Sequence, residues 1–424
     1  MVETDDRYRP RLIDSELRDS LEAFGAVLIT GPKWCGKTTT ASRFARSILR
    51  LQDTSDLKTN MMMAEYNPMM LLEGDKPRLI DEWQDVPVLW DTVRTSVDDI
   101  GKEGLYILTG STEVDWDQVK HSGAGRIYRL KMRTMSLLES GDSNGSVSLS
   151  KLFDGLDKVS GTSDLDYGGI ASIIVRGGWP KTIGRNERFS KLLIRGYCEA
   201  ILTAKVRTDS GYTRDEVKMK TLLRALSRQI SAPLSKEGIM KDAGGLSVSM
   251  SPNTLNKYLE ALTNICVYEP LYSWNPNLRS STAIRTAKTV HFCDPAIAAY
   301  FLSSSPSDMM NDPNTFGLLF ESLVIRDLRV YAGNMGGEVF HYRDKTGLEA
   351  DAVIHLDDGR WAAIEVKLSE NWVDDAAKNL NKLRSKVDTD HMGEPAFLAV
   401  ITATKYAYTR PDGVHVIPIA CLGI

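Results

Sequence analysis

Gly31, Gly36, Lys37 and Thr38 stand at the spacing G-x-x-x-x-G-K-[ST] within Gly31-Pro32-Lys33-Trp34-Cys35-Gly36-Lys37-Thr38-Thr39, directly after the apolar run Ala26-Val27-Leu28-Ile29. Each residue type has a task around a polyphosphate. The glycines let backbone N–H groups turn inward as an anion nest, Lys37 brings a point charge to the β- and γ-phosphates, and Thr38 brings a hydroxyl to Mg²⁺. The helix that follows presents the positive end of its dipole to the same phosphates. Residues 31–39 are therefore the expected ATP-binding loop. Farther on, Pro77-Arg78-Leu79-Ile80-Asp81-Glu82-Trp83 is a short apolar strand ending in two carboxylates, with Asp81 placed for the Mg²⁺ shell and Glu82 for polarising the attacking water. The same acids would also suit the first turn of the helix expected over residues 87–97. A third strand, Leu105-Tyr106-Ile107-Leu108, ends in Thr109-Gly110-Ser111. In a doubly wound sheet Thr109 or Ser111 would sense the γ-phosphate there; the plainer alternative is a turn built from Gly and Ser.

A second constellation lies near the C-terminus. Asp351 sits in Glu349-Ala350-Asp351-Ala352-Val353-Ile354, and Glu365 and Lys367 in Ala363-Ile364-Glu365-Val366-Lys367, with the turn Asp357-Asp358-Gly359 between. A hairpin would set Asp351 beside Glu365, and strand alternation puts Glu365 and Lys367 on one face. Clustered carboxylates suit Mg²⁺ or Mn²⁺, and Lys367 would orient water for attack on a phosphodiester. A half-exposed hairpin with a cross-strand ion pair is the plainer reading. The pattern resembles the PD-(D/E)xK nuclease fold, which would make Glu321 on a leading helix a further metal ligand. The usual Pro-Asp is absent, since Ala350 precedes Asp351.

The elements that must position these residues follow from periodicity. Up to about residue 140 apolar strands alternate with amphipathic helices, the βαβ rhythm of a parallel sheet, with helix-compatible spacing over 39–49. Turn-rich sequence at 140–146 and 160–166 marks a boundary. Helical patterning continues to about residue 231. Ser251 then stands as an N-cap with Pro252 at the first helical position, and strand-like runs at 266–272 and 289–292 complete the order of a winged helix, whose Asn253, Thr254, Asn256 and Lys257 would face a DNA groove. Such modules also serve as plain packing units. The expected organisation is an α/β P-loop NTPase core (1–145), a helical lid or linker (146–215), a winged-helix-like domain (216–305) and a restriction-endonuclease-like α/β domain (306–424).

Composition narrows the class. The chain has 424 residues, 42% hydrophobic and 25% charged, enough for several cores. A net charge of −4 excludes a global basic field, so any DNA surface must be local. Five scattered cysteines fit neither a disulfide framework nor a zinc site, and a reducing cytoplasm is the expected home. Oxidation of Cys35 would block nucleotide, although a tolerated small residue is the simpler reading. No run approaches the roughly 18 apolar residues of a membrane span. Methionines at 61–63, 69 and 70 read as core filler.

The chain as a whole resembles prokaryotic AAA+ type ATPases carrying a C-terminal domain of unknown function that ends in a nuclease-like module. Leu79-Ile80-Asp81-Glu82-Trp83-Gln84, Ile107-Leu108-Thr109-Gly110-Ser111, His121-Ser122-Gly123-Ala124-Gly125-Arg126, Met132-Arg133-Thr134-Met135-Ser136-Leu137 with Glu139, and Arg176-Gly177-Gly178-Trp179-Pro180 carry the likeness. The resemblance implies ATP hydrolysis with Mg²⁺, makes Arg126 a candidate γ-phosphate finger, equally open to a structural ion pair, and leaves room for a homo-oligomer. Three functions remain: an ATPase whose nucleotide state controls the C-terminal site, a DNA-cutting enzyme, and a non-catalytic ATP-dependent switch with a degenerate nuclease fold.

Overall fold

The computed structural model describes residues 8–53, 55–110, 122–208, 211–213, 215–245, 248, 250–276 and 287–424; Ser111 lies outside them. Two compact units form, one from Met1–Thr134 with Glu260–Val267 and one from Met135–Leu259 with Tyr268–Ile424. Among the described residues no helix is long and apolar enough to cross a membrane.

In the first unit α1 (Ile13–Ala23), β1 (Ala26–Thr30), α2 (Lys37–Phe44), β2 (Ser47–Arg50), α3 (Leu57–Tyr66), β3 (Arg78–Asp81), α4 (Val88–Ile100), β4 (Tyr106–Thr109) and β5 (Ile127–Lys131) follow in order. The strands form a parallel sheet in the order β2-β3-β4-β1-β5. β1 is apolar at successive positions because both of its faces are covered. Ala26 and Leu28 belong to a cluster with Trp83, Leu89, Trp90 and Val93, whereas Val27 and Ile29 join Leu17, Leu21 and Ala41. Gly101 in the left-handed region (φ 62°) closes α4.

Two expectations fail here. The helix ends at Phe44, not at residue 49, because Ile48 and Leu49 pair with Leu79 and Ile80 at the sheet edge. The methionines are not core filler either. Met61, Met62, Met69 and Met70 are each between 42% and 50% exposed, and Met63 alone of the group packs against the core cluster.

The second unit centres on a mixed sheet in the order Gly337–Arg343, Glu349–Leu356, Trp361–Lys367, Leu398–Thr402, His415–Pro418, Tyr406–Thr409, Gly161–Thr162. The helix Val373–Lys386 lays Val373, Ala376, Ala377, Leu380 and Leu383 on Val353, Ala363, Val400 and Val416 of that sheet. The long helix Pro313–Asn334 carries a buried ion network: Arg326 joins Asp294 at 3.1 Å and Asp327 at 2.6 Å, and Asp327 accepts the Leu137 N–H at 2.8 Å. The segment around residues 132–139 is thereby structural at its end, where Ser136 and Glu139 form a capping box. In the region read as a winged helix the helices Glu216–Arg228, Lys236–Gly245 and Pro252–Asn264 are present, and Ser251 caps the last through the Thr254 N–H at 3.1 Å. The runs 266–272 and 289–292 make only isolated bridges, Tyr268 with Phe292 and Leu271 with Thr289, in place of the expected strands.

Candidate functional site

The loop at the end of β1 has the backbone that a phosphate nest requires. Gly31 has φ +152°, and a Cβ there would stand 2.1 Å from the Met132 carbonyl oxygen, so no side chain fits. Gly36 (φ 107°, ψ 13°) opens α2, and Trp34 (φ 65°) turns outward, half exposed. Lys37 is 93% buried, and its ammonium donates to the Gly31 and Pro32 carbonyls at 2.9 and 3.1 Å. Cys35 is fully buried, while Lys33 and Thr39 face outward. Arg11, which no motif announces, donates to the carbonyls of Cys35 (2.9 Å) and Arg133 (2.8 Å), tying the loop to the segment that follows β5.

Strand register brings the remaining residues to this edge. Thr109 lies opposite Ile29 on one side and Asp81 on the other. Its hydroxyl donates to Asp81 Oδ1 at 2.5 Å, and the Thr38 hydroxyl donates to the same oxygen at 2.8 Å. Thr38, Asp81 and Thr109 are thus one hydrogen-bonded set at the carboxyl ends of three strands and their loops, where open α/β sheets bind ligands. Glu82, one residue on, sits in the left-handed region (φ 58°, ψ 47°), which costs a non-glycine residue about 1–3 kcal/mol. The buried Trp83, packed on Trp90 with ring centroids 4.9 Å apart, anchors that turn. Gln84 Nε2 donates to Glu82 Oε2 at 2.5 Å.

Arg126 is elsewhere. It immediately precedes Ile127, which pairs with Ala26 at the start of β1, and its carbonyl accepts the Ala26 N–H. At about 3.3 Å per residue this is the opposite edge of the sheet, on the order of 15 Å from the loop. Its guanidinium pairs with Asp98 at 2.8 Å. The structural ion pair is the reading that the geometry favours, because strand direction carries Arg126 away from the phosphate edge of its own chain.

In the second unit the hairpin register, Ala352 opposite Ile364, sets Asp351 beside Glu365. Gly359 (φ +89°) makes the connecting turn. Lys367 Nζ reaches Glu365 Oε2 at 2.6 Å and Asp351 Oδ2 at 3.3 Å, and the Val366 N–H donates to Asp351 Oδ2 at 2.7 Å. Burial, then the Asp351 carboxylate, pushes Glu365 up to about 8. Burial works against the charge on Lys367, but Asp351 and Glu365 outweigh it and raise its pKa. Glu321, on the helix Pro313–Asn334, is raised well above the usual range, first by burial and then by Asp351. Glu365 Oε1 is buried with no hydrogen-bond partner. Even so, among the described residues no three His, Cys, Asp or Glu side chains are arranged to hold a metal ion. The expected ligand set Glu321, Asp351 and Glu365 lies together around Lys367, whose ammonium pairs with Asp351 and Glu365 and supplies countercharge to them.

Residues 23–140 match the family described as AAA domain, and residues 169–308 and 316–422 match two domains of unknown function, DUF8612 and DUF4143. Uncharacterized proteins of Mycobacterium tuberculosis and Mycobacterium bovis are each 23% identical over 362 residues, covering 83% of this chain and 72% of theirs. Among solved structures, a Walker-type ATPase of Pyrococcus abyssi is 13% identical over 71% of this chain and 96% of its own, with a TM-score of 0.43. A signal-transduction ATPase with a tetratricopeptide repeat sensor from Pyrococcus horikoshii is 13% identical over 78% and 52%, with a TM-score of 0.20. Together with the parallel sheet and the loop at the end of β1, the AAA match over residues 23–140 supports a P-loop ATPase fold for the first unit.

Proposed function

We propose that this protein hydrolyses ATP at the loop 31–39 and that the state of that site controls Mg²⁺-dependent phosphodiester cleavage in DNA at Asp351, Glu365 and Lys367. The observation that carries the first part is the convergence of the Thr38 and Thr109 hydroxyls on Asp81 Oδ1. A hydroxyl and a carboxylate side by side are the hard oxygen donors that Mg²⁺ takes, so Thr38 and Asp81 fit that ion, which when bound neutralises charge on the β- and γ-phosphates. The backbone N–H groups of 31–39 and the Lys37 ammonium bind the phosphates; Lys37 exchanges its loop carbonyls for phosphate oxygens. Glu82 accepts a proton from water as that water attacks the γ-phosphorus and the bond to the β–γ bridging oxygen breaks, releasing ADP and phosphate. Thr109 reports the γ-phosphate to Asp81. ATP turnover that is equal in the wild type and Lys37→Ala would refute this assignment.

For the second part, the support is the unpartnered, buried Glu365 Oε1 beside Asp351 and Lys367. A buried carboxylate oxygen left without a donor calls for a proton or a cation. Asp351 and Glu365 would hold Mg²⁺, with Glu321 adding negative charge nearby, and Lys367 would orient water. Metal-dependent nicking of plasmid DNA should be lost in Asp351→Ala and should respond to ATP in the wild type but not in Lys37→Ala. Nicking that survives Asp351→Ala would assign it to another site. No nicking at all, with ATP still bound, would favour the non-catalytic switch. The division at 145, 215 and 305 is our reading of where the parts separate; the family matches over 23–140, 169–308 and 316–422 support a break near 145 and near 305, while the match over 169–308 runs through 215.

A further inference from the structure

We propose that Gln84 is a positioning residue for the hydrolytic base, holding the Glu82 carboxylate at one end of its amide while its other end is seated against Gly110, one residue beyond the γ-phosphate sensor Thr109. A carboxylate only accepts hydrogen bonds, so the Gln84 nitrogen must be the end that faces Glu82, and it does so at 2.5 Å. The Gln84 oxygen is thereby turned to the end of β4. A Cβ built on Gly110 would stand 2.1 Å from Gln84 Oε1 and 3.2 Å from Trp83 Cδ1. Unlike Gly31, Gly110 has no left-handed φ, so its backbone would accept alanine. What Gly110 provides is room for the Gln84 amide.

Glu82 needs such a brace. Its left-handed backbone stores strain, and its side chain is partly exposed, so its carboxylate has several rotamers open to it. The Gln84 contact selects one of them and fixes it relative to the strand end that carries Thr109. Asp81, Thr109, Gly110, Gln84 and Glu82 then form one connected chain from the metal-holding carboxylate, through the sensor, to the base. This inference rests on the reading of Glu82 as the base.

The test is steady-state ATP hydrolysis by full-length protein carrying Glu82→Gln, Gln84→Ala, Gly110→Ala and the pairwise combinations. Gln84→Ala should lower kcat about ten- to a hundredfold with the KM for ATP within twofold, since a displaced catalytic group costs rate and not binding. Gly110→Ala should reproduce that loss, because its methyl group evicts the amide. The double variant should be no worse than the poorer single one, and Gln84→Ala should add nothing in a Glu82→Gln background. If Glu82→Gln retains full turnover, the base assignment itself is wrong. If Glu82→Gln is inactive while Gln84→Ala keeps or exceeds the wild-type kcat, or if the Gln84 and Gly110 losses multiply, the positioning role is overturned and the base assignment stands. Gln84→Ala carries the test alone should Gly110→Ala fail to fold, and a melting temperature recorded for each variant separates the cases.

Discussion

Replacing Thr109 with valine removes one hydroxyl from the proposed nucleotide site and changes almost nothing else. The residue is fully buried at the end of β4 and its hydroxyl donates to Asp81 Oδ1 at 2.5 Å. Valine keeps the shape, so the expected loss is that of one hydrogen bond to a charged acceptor, about 1.5–3 kcal/mol. The Thr38 hydroxyl remains on the same oxygen, so Asp81 keeps one donor and the site does not collapse. Asp81 would still hold Mg²⁺ but would be less firmly oriented, and losing a partner that orients a metal ligand typically costs 10–100-fold in metal affinity or activity. A Mg²⁺ titration of ATP turnover should show half-saturation raised by that factor in Thr109→Val and restored in Thr109→Ser. An unchanged Mg²⁺ dependence in the valine variant would mean that Thr109 closes a turn and takes no part in the ATP site.

Further tests concern the second unit. Burial lowers the pKa of His341 from 6.5 to about 4 and that of His291 well below its ordinary value. Both are neutral when folded and bind protons more readily when unfolded, so the stability they contribute is complete above pH 6.5 and is lost as pH falls through the folded values. His341 alone should account for about 3 kcal/mol between pH 6.5 and 4. Urea midpoints across that window should fall with pH in the wild type and fall less in His341→Gln; an identical slope would contradict the assignment. Arg326→Met removes the guanidinium from Asp294 and Asp327, both fully buried, and should destabilise by about 3–5 kcal/mol. A shift below about 1 kcal/mol in urea unfolding would contradict a stabilising role for the buried ion network.

What the sequence displays of the nucleotide site is local chemistry. The glycines of 31–36, Lys37 and Thr38 act through their own backbone and side chains within one turn, and Asp81 and Glu82 follow their strand by adjacency. The pairing of Asp351 with Glu365 is legible for the same reason, since a short Asp-Asp-Gly turn dictates the register. Arg126 shows where this stops. Its neighbourhood looks like a finger, but which sheet edge it occupies depends on the direction of β5 beside β1, a pairing across about a hundred residues. The end of α2 at Phe44 is of the same kind, because an edge strand claims Ile48 and Leu49 in competition with helix propensity. The approach of Gln84 to Gly110 is also tertiary. Its signal, a glutamine two residues after the carboxylate pair, is visible in the sequence, but what it touches is not.

The central claim is that Lys37 and the residues around Asp81 form a hydrolytic ATP site, and ATP turnover with Mg²⁺ by purified wild type beside Lys37→Ala tests it most directly. The structure predicts measurable phosphate release in the wild type and a loss of at least about a hundredfold in Lys37→Ala, whose missing ammonium leaves the phosphate charge uncompensated. Equal turnover in the two proteins, with both folded by their melting curves, would contradict it.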